Sequence, residues 1–427
     1  MIKDFLTNLK KNSVYNNLIN LSAIEIFKYG YSFFSFAYLI RVLEFDAYGQ
    51  LVYASSLANI LVTIVCYGFN LTGPQQTSIF RQDISKLNFL VNEIFSSKLF
   101  IAFSLLLFYL PTIFFLEITI NQKILFFLVG IPIFSEIFNP LYFYQGTEKL
   151  ELYTKLNVLS KFLSLILLFV FVRDKYDLVL AYFIPVFLNF LFITFVFFKM
   201  MKDNLFRLKL LKIENILKSL KKSLDVFLGQ ISTIVFSNFN VLLIGSLLSS
   251  SSVAIYAAAE KTVRIISILI TPLNYAFFPK VSKEFSQNQA KAILNLGKFL
   301  KFGSLFFLLI STLIFIFSDF IIFIIVGHFD DLTSKLLMIM SPLPLFIFIT
   351  TIYGTHFMLN NKMNIYFRNV LLLNSIFFII INYLLLKYLG LFGASLGSVI
   401  SEFIIALSML FVVEYKYSPK LYKFPNK

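Results

Sequence analysis

Long runs of apolar residues recur along the whole chain and are separated by short polar stretches. In residues 100–115, for example, most positions are Phe, Leu, Ile or another apolar residue. The hydrocarbon core of a bilayer is about 30 Å thick, and a helix of about 20 apolar residues spans it. The pattern therefore predicts about twelve membrane-spanning helices, near residues 18–40, 48–69, 87–116, 124–144, 153–172, 178–198, 224–247, 253–278, 299–326, 336–359, 366–387 and 391–413.

The apolar runs indicate helices and not barrel strands. Backbone groups in lipid must bond within their own segment or within a closed barrel. Barrel strands alternate apolar and polar residues, and that alternation is missing here. The sequence thus predicts an all-α integral membrane protein.

The polar stretches between the runs predict the orientation and the division of the chain. Lys and Arg collect in alternate loops, most densely in residues 199–222, which places both termini in the cytoplasm. About six helices precede this stretch and about six follow it. We expect an N-terminal six-helix bundle (1–198), a basic cytoplasmic linker (199–222) and a C-terminal six-helix bundle (223–427), arranged around a central cavity.

Composition narrows the class of protein further. The 427 residues have a mean hydropathy of +0.83, and 37 Lys and Arg against 22 Asp and Glu give a formal charge of +15. Basic cytoplasmic loops explain this excess better than a nucleic-acid partner does. A single cysteine, Cys66, excludes an internal disulfide, and two histidines, His328 and His356, make a His-based metal centre improbable.

The sequence lacks the usual catalytic motifs. It contains no P-loop, zinc-protease helix motif or nucleophile elbow. We therefore expect a transporter and no enzyme, driven by an ion gradient or by the gradient of its substrate.

Several ionisable residues lie inside the apolar runs, where each costs roughly 2.5–3.5 kcal/mol on insertion scales. Such groups usually face a bundle interior or a water-filled path. The Glu25/Lys28 and Glu260/Arg264 spacings permit pairing on one helix, so each set has either a neutralising or a transport role. Lys98 is placed near a helix end, from which its ammonium would snorkel to the interface.

Lys161, Lys261 and Glu136 have no partner at helical spacing and are therefore better candidates for the cavity lining. A basic cavity would suit an anionic substrate, and phosphate is the obvious anion because Lys and Arg bind it through charge-assisted hydrogen bonds. The predicted substrate-binding set is Lys28, Arg41, Lys161, Lys261 and Arg264. No catalytic or metal-binding residue is predicted.

Five motifs occur in the order typical of one transporter family. They are Leu39–Gln50 (LIRVLEFDAYGQ), Tyr67–Gln76 (YGFNLTGPQQ), Tyr142–Lys149 (YFYQGTEK), Val253–Lys261 (VAIYAAAEK) and Pro272 followed by Phe278–Ser282 (FPKVS). Through them the chain resembles the O-antigen flippases (Wzx-type) of the polysaccharide transporter family. Their superfamily also contains multidrug and toxin extruders.

The resemblance implies two six-helix bundles that alternate between inward-open and outward-open states in the bacterial inner membrane. It also implies an undecaprenyl-pyrophosphate-linked oligosaccharide as cargo, with the O-antigen polymerase and chain-length regulator as protein partners. Coupling to H⁺ or Na⁺ would fall to Glu25, Glu136 and Glu260. Cys66 stands where the family often has an aspartate, so that aspartate's role does not carry over.

Three alternatives remain open at this point. A drug extruder of the same superfamily would favour an acidic cavity for organic cations. A membrane-bound polymerase or glycosyltransferase would need a large periplasmic loop or an acidic motif in the first outside loop, where Glu44 and Asp46 lie. A purely structural partner in a synthesis complex would not need so many buried charges.

Overall fold

A computed structural model describes residue 27, residues 30–204 and residues 206–417, without the side chains of 272, 275, 276, 279, 280, 416 and 417. Over these residues the chain forms helices joined by short connections, and no strand occurs among them. The all-α prediction is confirmed. The helices are α1 (residues 30–42), α2 (Glu44–Cys66), α3 (Phe69–Phe80), α4 (Ile84–Phe115), α5 (Ile120–Leu128), α6 (Gly130–Ile137), α7 (Leu141–Gly146), α8 (Glu151–Phe171), α9 (Leu178–Asp203), α10 (Ile213–Leu247), α11 (Ser250–Ser267), α12 (Ile270–Gln287), α13 (Gln289–Ile316), α14 (Ser318–Val326), α15 (Asp331–Met340), α16 (Leu343–Thr351) and α17 (Asn364–Tyr417).

Nine helical stretches within the described residues are long and apolar enough to cross a membrane. One of them, Asn364–Tyr415, contains both of the last two predicted spans. Of the predicted first span, 18–40, the structure describes residue 27 and residues 30–40, and the predicted eighth span corresponds to α11 and α12. The chain is thus a multi-pass membrane protein, while the number of spans and the side of each terminus stay predictions.

The predicted second span is broken after Cys66. Tyr67 and Gly68 both adopt left-handed conformations, with φ of 47° and 83°, and they separate α2 from α3. A Cβ on Gly68 would lie 3.0 Å from Val226 Cγ1 and 3.1 Å from the Phe227 nitrogen. Glycine is therefore required here both for its backbone conformation and for the close approach of α10.

The predicted eighth span is also broken, between α11 and α12. Pro272 has no amide hydrogen to donate to the carbonyl of Ile268, and the helix is interrupted at that carbonyl. Thr271 instead donates its N–H to the Ile268 oxygen over 2.8 Å, which tightens the turn. A continuous hydropathy run does not reveal such an interruption.

The last two predicted spans form a tight hairpin within α17. Gly390 has φ of 59° and ψ of −140° and reverses the chain there. A Cβ on Gly397 would lie 2.3 Å from Asn382 Oδ1, so the two arms pack closer than any side chain would allow.

The contacts of the chain divide it into two compact units, Met1–Ile234 and Val235–Lys427. The core of the first unit includes Val65, Ile94, Phe95, Ile133, Phe197 and Met200. The core of the second includes Leu296, Phe307, Phe348, Ile352, Phe357 and Met409. The unit boundary lies within α10.

Most of the stretch predicted as a basic linker, residues 199–222, is helical. It contains the end of α9 and the first ten residues of α10, and residues 206–212 between them are non-helical. The predicted division into residues 1–198 and 223–427 stays a prediction. The two compact units meet between Ile234 and Val235.

Candidate functional site

The first unit contains a buried ion pair between Lys98 on α4 and Glu136 on α6. Lys98 Nζ lies 2.6 Å from Glu136 Oε1, and the two side chains are only 3% and 11% exposed. The same ammonium donates to the backbone oxygen of Glu136 over 3.0 Å. A buried charge is tolerated when it is both paired and hydrogen-bonded, and Lys98 meets both conditions.

A proline explains why the Glu136 carbonyl is available to Lys98. Pro140 lies four residues after Glu136, so it would be the helical donor to that carbonyl, but proline has no N–H. Helix α6 ends at Ile137, and Asn139 donates its backbone N–H to the Glu136 oxygen over 3.2 Å. The Lys98 ammonium is a second donor to this carbonyl. It lies at the C-terminal end of α6, where the helix dipole also favours a positive charge.

The remaining oxygen of the Glu136 carboxylate is also satisfied. Asn139 Nδ2 donates to Glu136 Oε2 over 3.0 Å, and the Tyr153 hydroxyl donates to Asn139 Oδ1 over 3.4 Å. Cys66, at the end of α2, interacts electrostatically with both Glu136 and Lys98. The position where the resembling family often has an aspartate therefore faces this pair.

The second unit contains an ion pair that the sequence spacing predicts. On α11, Arg264 Nε donates to Glu260 Oε1 over 2.8 Å, one helical turn away. Arg264 Nη2 also donates to the backbone oxygen of Phe236 on α10 over 3.3 Å. The Glu260 side chain is 9% exposed and the Arg264 side chain is 41% exposed. The acid is therefore enclosed, while the basic side chain is partly exposed.

A buried polar cluster lies one turn before Glu260. The Asn240 amide donates to the Tyr256 hydroxyl and to Ser398 Oγ, both over 2.9 Å. Tyr256 and Ser398 are themselves 2.9 Å apart. This cluster joins α10, α11 and α17 and fixes the helix that carries Glu260 and Arg264.

Two further charges act on this pair. Glu402 on α17 interacts electrostatically with Arg264, and Lys261 on α11 does so with Glu260. Each member of the pair thus has one further charged neighbour of opposite sign.

The structure brings some of the predicted site residues together and places others apart. Glu260, Lys261 and Arg264 lie together on α11 of the second unit, as described above. Arg41 is exposed near the end of α1, and Lys161 is half-buried on α8, both in the first unit. Glu25 and Lys28 lie outside the described residues.

The snorkelling prediction for Lys98 is wrong. Helix α4 begins at Ile84, so Lys98 lies about 21 Å along it from the start, near the middle of its 32 residues. From there an ammonium does not reach the interface, and it pairs with Glu136 instead. Glu136, which has no partner on its own helix, thus has one on another.

Sequence reasoning did not select Lys98, Asn139, Asn240, Tyr256, Ser398 or Glu402 as part of these clusters. One signal for the first cluster was available, since Pro140 four residues after Glu136 frees a carbonyl that needs a donor. The Asn240 cluster joins three helices and has no comparable signal. Among the described residues, no group of three or more His, Cys, Asp or Glu is placed to hold a metal ion.

Comparison with known proteins places these features in context. Residues 14–285, more than half of the chain, match the model of a family described as "Polysaccharide biosynthesis protein". A protein of Escherichia coli (strain K12) named "Putative O-antigen transporter" is 24% identical over 407 residues, covering 95% of this chain and 98% of its own. A protein of the same name from Shigella dysenteriae is 23% identical, covering 93% of this chain and 99% of its own.

Solved structures share the fold at low sequence identity. An inward-facing multidrug resistance MATE family transporter of the MOP superfamily has a TM-score of 0.69 and 14% identity, covering 93% of this chain and 96% of its own. The lipid II flippase MurJ in an inward closed conformation has a TM-score of 0.62 and 16% identity, covering 93% and 87%. At this level of identity the likeness establishes the fold and no more.

Proposed function

The chain belongs to the polysaccharide biosynthesis protein family, and on that premise we propose that it is a flippase for a lipid-linked oligosaccharide in the bacterial inner membrane. The observation that carries the proposal is its end-to-end similarity to two proteins named as O-antigen transporters. The shared fold with the lipid II flippase MurJ is consistent with this proposal.

The cargo that fits this proposal is an oligosaccharide repeat unit on undecaprenyl pyrophosphate. Its sugars and pyrophosphate need a polar, basic path, while its lipid tail can stay in the bilayer. Arg264 has the chemistry for the anionic part, because a guanidinium binds phosphate oxygens through paired charge-assisted hydrogen bonds. Lys28, Arg41, Lys161 and Lys261 are the other proposed cationic contacts.

Transport coupled to H⁺ or Na⁺ remains part of the proposal, with Glu25, Glu136 and Glu260 as the acids. The geometry constrains how Glu136 and Glu260 would act. A proton or cation on Glu136 Oε1 would compete with Lys98 Nζ for the same oxygen, and one on Glu260 Oε1 would compete with Arg264 Nε. Ion binding at either acid would therefore release its basic partner.

Gene deletion and complementation in the host test the flippase proposal. We expect loss of the surface polymer and accumulation of lipid-linked repeat units in the deletion strain, with failed rescue by Arg41→Ala, Lys261→Ala or Arg264→Ala at wild-type protein level. Lys155→Ala, an exposed lysine on α8, is the control that should rescue. Normal polymer in all three variants would refute the basic path.

Two other outcomes of the deletion identify the competing functions. Intact polymer with heightened sensitivity to cationic drugs would indicate an extruder, whose fold this chain also shares. Single repeat units reaching the surface unpolymerised would indicate a polymerase. For coupling, unchanged ion dependence in Glu136→Gln and Glu260→Gln would exclude those two acids.

A further inference from the structure

The extended segment of residues 206–212 is held in a fixed path along α4. Alternate residues of the segment bond to side chains that lie four residues apart on one face of α4. The bonds run from Arg207 N–H to Asn88 Oδ1 (3.2 Å), from Lys209 N–H to Asn92 Oδ1 (2.9 Å), from Asn92 Nδ2 to the Arg207 oxygen (2.9 Å) and from Leu211 N–H to Ser96 Oγ (3.1 Å).

The spacing of the bonding side chains on α4 matches the spacing of alternate residues in the segment, and this match explains why the hydrogen bonds recur. Four residues of an α-helix rise about 6 Å, and two residues of an extended chain advance about 6.6 Å. The segment therefore runs parallel to α4, with one backbone edge bonded to it. Because the backbone is fixed, the positions of its side chains are fixed as well.

The surface made by this segment and the start of α10 is strongly basic. Residues 206–222 contain six basic residues and one acidic residue, Glu214. All six basic residues are exposed, namely Arg207, Lys209, Lys212, Lys218, Lys221 and Lys222. Over residues 206–225 the six basic residues outnumber the two acids, Glu214 and Asp225, so the surface has a net positive charge that attracts a partner of opposite charge.

Exposed apolar side chains lie beside these charges. Leu208 and Leu210 on the segment and Ile213 and Leu217 on α10 are all exposed. The first turns of α10 thus have three faces, which are a buried face that includes Ile216, an apolar exposed face and a basic exposed face. A basic face next to an exposed apolar one is typical of helices at a membrane interface.

The length of α10 places this surface at the edge of the bilayer. Its 35 residues extend about 52 Å, well beyond a hydrocarbon core of about 30 Å. The more apolar end of α10 lies toward Leu247, so its first turns fall at the level of the lipid headgroups.

We propose that residues 206–224 form a binding surface for anionic phospholipid headgroups of the adjoining leaflet. The cations contact the headgroup phosphates, and the exposed leucines and isoleucine enter the boundary of the acyl region. Clusters of four to eight basic residues beside a membrane helix are suited to anionic lipid. The hydrogen bonds to α4 hold the surface in its binding geometry before lipid arrives, and oligosaccharide transport plays no part in this.

Thermal unfolding in nanodiscs of defined composition tests the proposal. The full-length protein is placed in dioleoylphosphatidylcholine alone or in an equal mixture with dioleoylphosphatidylglycerol. Unfolding is followed with a thiol-reactive dye, since Cys66 is the single cysteine and is buried. We expect a higher unfolding midpoint with phosphatidylglycerol, and a smaller gain at high salt because the contacts are electrostatic.

Two triple variants with equal charge change separate this surface from a general attraction of the basic protein to anionic lipid. In Arg207→Gln/Lys209→Gln/Lys218→Gln we expect more than half of the phosphatidylglycerol-specific gain to disappear. The control, Lys283→Gln/Lys291→Gln/Lys298→Gln, removes three exposed charges of the second unit. This control should retain the phosphatidylglycerol-specific gain. An unchanged gain in the first variant, or an equal loss in both, would overturn the proposal.

Asn92→Ala tests the role of the fixed backbone. It removes two of the four bonds to the segment without changing any charge. We expect the rise in unfolding midpoint caused by phosphatidylglycerol to be smaller than in the wild type. This loss is separate from any change of the midpoint in phosphatidylcholine alone. If the lipid-specific gain is fully retained, the segment does not need its hydrogen bonds to α4 for lipid binding.

Discussion

Replacing Lys98 by Met is expected to destabilise the first unit strongly. Methionine keeps much of the volume and removes the ammonium, so Glu136 loses its ionic partner and its backbone oxygen loses a donor. Removing one member of a buried ion pair typically costs about 3–5 kcal/mol, because the other charge stays buried without compensation. The exposed fractions of 3% and 11% place this pair in that class.

The thiol-dye assay on the purified full-length protein measures the effect. For a unit of this size, about 1 kcal/mol corresponds to about 2–4 °C in the unfolding midpoint, so we expect a decrease of roughly 6–20 °C. The control is Lys155→Met, which breaks a pair to Glu151 with the same 2.6 Å separation but with side chains 71% and 72% exposed. Since exposed ion pairs contribute little, the control should unfold close to the wild type.

A double variant tests whether the loss arises from the pair itself. In Lys98→Met/Glu136→Gln no charge is left unpaired, and the amide still accepts from Asn139. We therefore expect the double variant to unfold at a higher temperature than Lys98→Met alone. If the effects of the two single substitutions simply add in the double variant, the residues are not coupled and the reasoning is refuted.

Two further predictions concern backbone geometry and the polar cluster of the second unit. Gly68→Ala should lower the unfolding midpoint, at a cost of about 1–3 kcal/mol for a strained left-handed residue, whereas Gly229→Ala on α10, where a Cβ meets nothing within 4 Å, should not lower it. An equal decrease in both would contradict this explanation. Tyr256→Phe removes the hydrogen bonds of its hydroxyl to Asn240 and Ser398 and should cost about 0.5–1.5 kcal/mol for each bond, and an unchanged midpoint would mean that the cluster does not hold the helix.

The fold could be predicted from the sequence largely because lipid imposes one simple rule. A segment that crosses the bilayer must be apolar and must bond its own backbone, so hydropathy alone locates the helices. Hydropathy does not, however, reveal where a helix is broken inside a span. Tyr67 and Gly68 lie within one predicted segment, and their left-handed backbone became visible only with the structure.

The two ion pairs differed in predictability for a similar reason. Glu260 and Arg264 are one turn apart on α11, so helical periodicity alone brings them together. Lys98 and Glu136 are 38 residues apart, and their contact depends on how α4 packs against α6.

The two basic partners, Lys98 and Arg264, differ in exposure, and we therefore expect them to have different roles. Lys98 is sealed and donates to both the carboxylate and the carbonyl of Glu136, so it has no accessible face for a ligand. Arg264 also donates to an acid and to a carbonyl, but two-fifths of its side chain is exposed, and a guanidinium has five N–H donors, of which these two bonds use two. Loss of Lys98 should therefore appear first in stability, and loss of Arg264 first in export. The structure thus distinguishes two basic residues that an insertion scale treats alike, and of these two we propose Arg264 as the contact for a pyrophosphate.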